Sequence, residues 1–145
     1  MGLHPTAMKK VLVAVDGSPA SLHGAEVALK LAQPFGAEVI LIYVVPPMVL
    51  PGDAPWAPLE EIHEAEQRRG EHLLTETVAK LGNPPVRKMV KVGPPAETLA
   101  EVAEAEQVDV VAVGSTGKGA VKRLLVGSTA DRLVHICTRP VLVVH

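Results

Sequence analysis

Short apolar runs alternate with amphipathic segments along this chain. Lys10-Val-Leu-Val-Ala-Val15, Glu38 to Val45, Asp109 to Val113 and Pro140-Val-Leu-Val-Val144 are nearly continuous in apolar residues, as strands buried on both faces are. Val86 to Val92 alternates instead, which predicts a strand nearer a sheet edge. Ser18-Pro19 caps and starts a helix whose apolar positions include Ala25, Leu29 and Ala32, and Pro34 with Gly36 ends it. Leu59 to Leu81 predicts a long charged helix with Ile62, Leu73, Leu74, Val78 and Leu81 facing inward, Gly70 loosening its middle and Gly82 stopping it. Ala96 to Glu106 and Ser128 to Ile136 complete the helices. Strands alternating with helices predict an α/β fold: a single-domain open parallel five-stranded sheet with helices on both faces.

A length of 145 residues suits one domain. Residues 1–8 are expected to be a disordered leader and 9–145 the domain. With 14 basic and 16 acidic residues the net charge is −2, so no global field attracts nucleic acid or a membrane surface. The longest apolar stretch, Val39 to Leu50, is too short and too rich in proline to span a bilayer, and no signal pattern opens the chain. A cytoplasmic protein is expected. Cys137, the single cysteine, cannot form an intramolecular disulfide and reads as a small core residue. Pro46 to Pro58 holds five prolines in an unusually long connection. It reads either as a lid or as a semi-rigid surface excursion with Trp56 packed down as an anchor.

The chemistry concentrates at Gly114-Ser-Thr-Gly117, followed after nine residues by Gly127-Ser128-Thr129. The glycines let backbone pass close to a ligand, and Ser128 and Thr129 set hydroxyls beside the free N–H groups of a helix N-terminus. That combination holds an anion without a dedicated cation. The plainer reading makes Gly114 and Gly117 a turn and Ser128 an N-cap, with Asp131 completing a capping box. Asp16 ends the first strand and is expected at the same crevice. There its carboxylate would accept hydrogen bonds from adenine or ribose or place a divalent ion, or it would simply close an Asx-turn through Asp16-Gly17-Ser18. Lys118, Lys122 and Arg123 fall in the spacer, where they would screen phosphate charge or stay solvated.

Two phosphate signatures fail. A Walker A loop would need glycine where Ala112 stands and Ser or Thr where Gly119 follows Lys118. No strand-to-helix turn carries Gly-x-Gly-x-x-Gly. The six histidines show no metal-ligand pairing, so no metal site is assigned. No committed base stands near the loop. No catalytic residue is assigned.

Gly114, Gly117, Gly127 and Ser128 fit Gly-x2-Gly-x9-Gly-Ser/Thr, and from about Lys9 to His145 the chain resembles the ATP-binding subgroup of the universal stress protein family, including Val-Leu-Val-Ala-Val-Asp-Gly-Ser at the start and Arg-Pro-Val-Leu-Val-Val at the end. The resemblance implies a Rossmann-like, adenine nucleotide alpha hydrolase-like domain. It also implies ATP as ligand, with AMP or cyclic AMP as alternatives and Mg²⁺ or Mn²⁺ carried by the nucleotide, and at most weak ATP hydrolysis is expected. Asp16 would meet adenine or ribose, and Ala14 and Val44 would line the adenine pocket. Gly114, Gly117, Gly127, Ser128 and Thr129 would hold ribose and phosphates. A homodimer through the last strand, 141–144, is implied as well, acting as a nucleotide-dependent regulator toward an unidentified protein partner. Thr116 stands where a basic residue or His is common in the family, and Tyr43 precedes Val44 where His is frequent. A slow Mg-dependent ATPase or phosphotransferase, and a dimeric scaffold that binds no nucleotide, are the competing expectations.

Overall fold

The computed structural model describes residues 7–47, 59–115 and 127–145. Its strands are β1 (Lys10–Ala14), β2 (Glu38–Val45), β3 (Arg87–Val92), β4 (Val110–Gly114) and β5 (Val141–Val144). Its α-helices are α1 (Pro19–Ala32), α2 (Leu59–Lys80), α3 (Pro95–Glu106) and α4 (Ser128–Ile136). The strands form one parallel sheet in the order β3-β2-β1-β4-β5. Each element lies within a residue or two of its predicted span. α1 runs into a single 3-10 turn, Gln33–Phe35, before Gly36 ends the segment.

Alternate strand residues feed two cores. Leu12, Ile40, Ile42, Val111 and Val113 pack with Leu99, Val102 and Ala103 of α3 and with Ala130 and Leu133 of α4. Val11, Val13, Val39, Leu41 and Ala112 pack on the other face with Ala25, Ala28 and Ala32 of α1 and Leu74 of α2. Burial on both faces explains why β1, β2 and β4 read as unbroken apolar runs. Ser18 caps α1 as expected, its hydroxyl accepting the Ser21 N–H at 3.1 Å. Met8 packs against the α1/α2 core.

Gly70 does not loosen α2. It is buried, and a Cβ there would stand 2.7 Å from Tyr43 Cδ2 and 3.1 Å from Val90 Cγ1. The missing side chain is what lets the middle of α2 lie against β2 and β3.

Carboxylates gather at the amino ends of the strands. Arg87 donates to both Glu106 oxygens at 2.9 and 2.7 Å, and Lys10 Nζ approaches Oε1 at 3.3 Å. Asp109 Oδ2 accepts the N–H groups of Lys9 and Lys10 at 2.7 and 2.9 Å, tying the start of β1 to the residue before β4. The Arg87 hydrogen bond holds the Glu106 carboxyl below its usual 4.5. The backbone N–H groups of Lys9 and Lys10 do the same for Asp109, below its usual 3.8. Folded values below unfolded ones mean that this stabilisation is present above pH 4.5 and is lost as pH falls through the folded values. The urea midpoint should therefore fall as pH drops below about 4.5, and Asp109→Asn should flatten the fall. An identical midpoint at about pH 3 and pH 7 would contradict this reading.

Candidate functional site

The strand order places the site. From β1 the chain steps outward to β2 and β3, then returns to the opposite side of β1 to make β4 and β5. The carboxyl ends of β1 and β4 therefore flank the crevice where a parallel sheet of this kind receives its ligand. Ala14 closes β1, Asp16 follows it, Gly114 closes β4, and Ser115 leads out. Ala14 and Val44 pack on the face covered by α3 and α4, the face from which α4 begins.

Gly127 is the buried N-cap of α4, with φ −69° and ψ 163°. The N–H of Asp131 donates to the carbonyl of Gly127 at 2.9 Å, which opens the helical ladder. The N–H groups of Ser128, Thr129 and Ala130 consequently have no acceptor within the helix, and together with the helix dipole they favour an anion. Ser128 is not the N-cap. It is the exposed first residue of the helix, and among the described residues no side chain caps α4, so the capping box with Asp131 does not form. The reason is geometric: the extended backbone that a cap requires falls at Gly127 and leaves Ser128 already helical.

At Asp16 the Asx-turn is what forms. Oδ1 accepts the Ser18 N–H at 2.8 Å, the Asp16 N–H donates to Ser21 Oγ at 3.3 Å, and the Ser21 hydroxyl donates to the Ser18 carbonyl at 3.0 Å. The half-buried carboxylate is thereby held at the mouth of the crevice by the first turn of α1. Gly17 enters that turn with φ +85°.

Gly114 has a packing role that the glycine pattern alone did not disclose. A Cβ on it would stand 2.8 Å from the carbonyl carbon of Ala20 and 2.9 Å from the oxygen, so the first turn of α1 rests directly on the end of β4. Gly24, one turn further along α1, continues that contact: its Cβ would lie 3.6 Å from the Gly114 nitrogen and 3.9 Å from Val144 Cβ. A buried glycine inside an otherwise regular helical pattern was the available signal for it. Gly117, with Thr116, Lys118, Lys122 and Arg123, lies outside the described residues, as does the connection from Met48 to Pro58 with Trp56.

Ser115 is the residue that motif reading passed over. It is buried, its N–H donates to the Val144 carbonyl at 2.7 Å, and its own carbonyl accepts the N–H of Gly127. One residue thus joins the end of β5 to the N-cap of α4. On the outer side of α4, Arg132 Nε donates to Glu97 Oε2 at 2.8 Å and ties the helix to α3. That bond holds the Glu97 carboxyl below its usual range.

Among the described residues no group of three or more His, Cys, Asp or Glu is placed to hold a metal ion, and no helix is long and apolar enough to cross a membrane. A surface depression of about 390 Å³ lies away from the crevice, between α2 and β3, lined by Gln67, Glu71, Leu74, Thr75, Lys88, Met89 and Val90. It has no helix N-terminus and no carboxyl end of a strand, so it lacks the anion-holding geometry found beside β1 and β4.

The universal stress protein family model matches residues 8–145. Universal stress protein MJ0531 of Methanocaldococcus jannaschii is 34% identical over 139 residues, spanning 94% of this chain and 81% of the relative. Among solved structures, universal stress protein UspA from Lactobacillus plantarum superposes with a TM-score of 0.82 at 26% identity, covering 97% of this chain and all of the other. A universal stress protein in complex with cAMP superposes with a TM-score of 0.69 at 22% identity, covering 97% and 99%. The one from Archaeoglobus fulgidus in complex with dAMP gives 0.62 at 19%, covering 95% and 98%.

Proposed function

This chain belongs to the universal stress protein family, and from that premise we propose that it binds an adenine nucleotide, ATP in the first instance, in the crevice between β1 and β4. The observation that carries the proposal is the N-terminus of α4. Three N–H groups without helical acceptors open beside a buried extended glycine at the topological switch point. The phosphates would lie against Ser128, Thr129 and Ala130. The glycines at 114 and 127 would let the backbone approach ribose and phosphate, together with Gly117. Ala14 and Val44 would offer the adenine ring a low apolar surface. Asp16, held by its Asx-turn, would accept from the adenine amino group or the ribose. The complexes with cAMP and dAMP reported for structures of this fold support an adenine nucleotide as the ligand class. A divalent ion would arrive with the nucleotide, bound to its phosphates.

Regulation through a dimer completes the proposal. The two sheet edges differ in kind. β3 presents Arg87, Lys88 and Lys91, all exposed, and charged side chains of this sort discourage strand pairing. β5 is Val-Leu-Val-Val, with three of its four residues only half-buried. The uncharged edge is the one suited to a second copy, and nucleotide occupancy would then alter the surface shown to a regulatory protein partner.

Thermal unfolding tests the binding. ATP with Mg²⁺ at a hundred times its dissociation constant stabilises by about 2.7 kcal/mol, which for a domain of this size raises the midpoint by roughly 5–10 °C. AMP and cyclic AMP serve as comparisons. No rise with any of the three, in protein shown to carry no bound nucleotide, would refute the assignment.

A further inference from the structure

Two hydrogen bonds on one residue connect the proposed phosphate site to the free edge of the sheet. Ser115 donates its N–H to Val144 of β5 and accepts from Gly127, the N-cap of α4, through its carbonyl. Its side chain is buried, and the neighbouring Gly114 is wedged against the Ala20 carbonyl, so neither bond can change without moving packed backbone. A second tie reaches the same place from α1, where His23 Nδ1 donates to the carbonyl of His145 at 2.8 Å.

We propose that Ser115 couples the two events: nucleotide seated on the N-terminus of α4 fixes β5 in the position that pairs with a second copy of this chain, and pairing in turn fixes the N-cap for phosphate. This inference rests on the nucleotide reading and on β5 as the pairing edge. Because Ser115, Gly127 and Val144 are tied into one packed unit, a partner that favours one position of that unit favours it for the other partner as well. The linkage is reciprocal: the dimer carries two nucleotide sites, so the factor by which saturating nucleotide tightens the dimer is the square of the factor by which dimerisation tightens nucleotide at each site.

The geometry of β5 supplies a clean variant. Val111 and Ser115 donate to the carbonyls of Pro140 and Val144, and in a parallel ladder the bonded residues alternate. The N–H and C=O groups of Val141 and Val143 therefore point away from β4, toward the open edge. Proline at position 143 blocks edge pairing without removing a bond to β4.

The experiment measures the dimer dissociation constant of the full chain by sedimentation equilibrium, without and with saturating Mg²⁺-ATP. It also measures ATP affinity by calorimetry for the natural chain held above that constant and for Val143→Pro. The expected result is ATP affinity weakened at least about fivefold in Val143→Pro, and a dimer tightened by saturating ATP by the square of that factor, about 25-fold or more. A dimer whose constant ignores bound ATP, or a chain that binds ATP and stays monomeric, overturns the coupling and leaves the nucleotide reading intact. Absence of ATP binding overturns both. Because a weaker ATP affinity in Val143→Pro would also follow from local damage, its unfolding midpoint without ATP must match that of the natural chain at concentrations where both are monomeric.

Discussion

Ser128→Pro should weaken ATP binding roughly 10- to 150-fold while leaving the stability of the nucleotide-free chain almost unchanged, since a hydrogen bond to a charged group contributes about 1.5–3 kcal/mol. Ser128 is the first helical residue of α4, the one position in a helix where proline is well accommodated, because its N–H has no helical acceptor. The preceding residue must be extended when proline follows, and Gly127 already is, at φ −69° and ψ 163°. The substitution thus removes one proposed phosphate donor and little else. Ser128→Ala keeps the N–H and loses only an exposed hydroxyl that caps nothing, so its affinity should stay within a few-fold of the natural chain. Equal, large losses in both variants would mean that the hydroxyl rather than the backbone holds the ligand.

The second large effect is on the fold. Gly114→Ala places a Cβ 2.8 Å from the Ala20 carbonyl carbon, a backbone atom that cannot rotate away. Forced repacking of this kind costs about 1–3 kcal/mol, which for a domain of this size lowers the midpoint by several degrees. The loss should appear without any nucleotide present, whereas the Ser128→Pro defect should appear only with one. An undiminished midpoint in Gly114→Ala would show that α1 can lift from β4, and would return Gly114 to a role in ligand approach alone. Gly114 is thus expected to serve both fold and site.

The elements of the fold were legible because their signals are local. Runs such as Val39 to Val45 and the stops at Gly36 and Gly82 depend on the residues themselves, and the structure places every strand and helix within a residue or two of the expected spans. The strand order required contacts between distant segments, and only the presence of a parallel sheet followed from the alternation. The side-chain roles that escaped reading are those set by approach distance. Gly70 reads as a weak point in a helix until Tyr43 and Val90 are seen against it. Ser128 reads as a cap because serine favours that position, yet the chain reaches the helix one residue earlier, with glycine as the cap. Ser115 carried no signal at all, since both of its contributions come from its peptide groups. Asp16 stood between two readings, and the structure realises the Asx-turn. That turn orients the carboxylate at the crevice, so it prepares the proposed contact with adenine or ribose rather than competing with it.

The location of bound nucleotide is the central claim, and backbone amide shifts recorded during a titration with Mg²⁺-ATP test it most directly. The account predicts the largest shifts at Ser128, Thr129 and Ala130, with Asp16 and Ser115 following, and only small ones at Gln67, Glu71 and Thr75 beside the depression on α2. Saturating shifts confined to that depression, with the first turn of α4 unmoved, would contradict it.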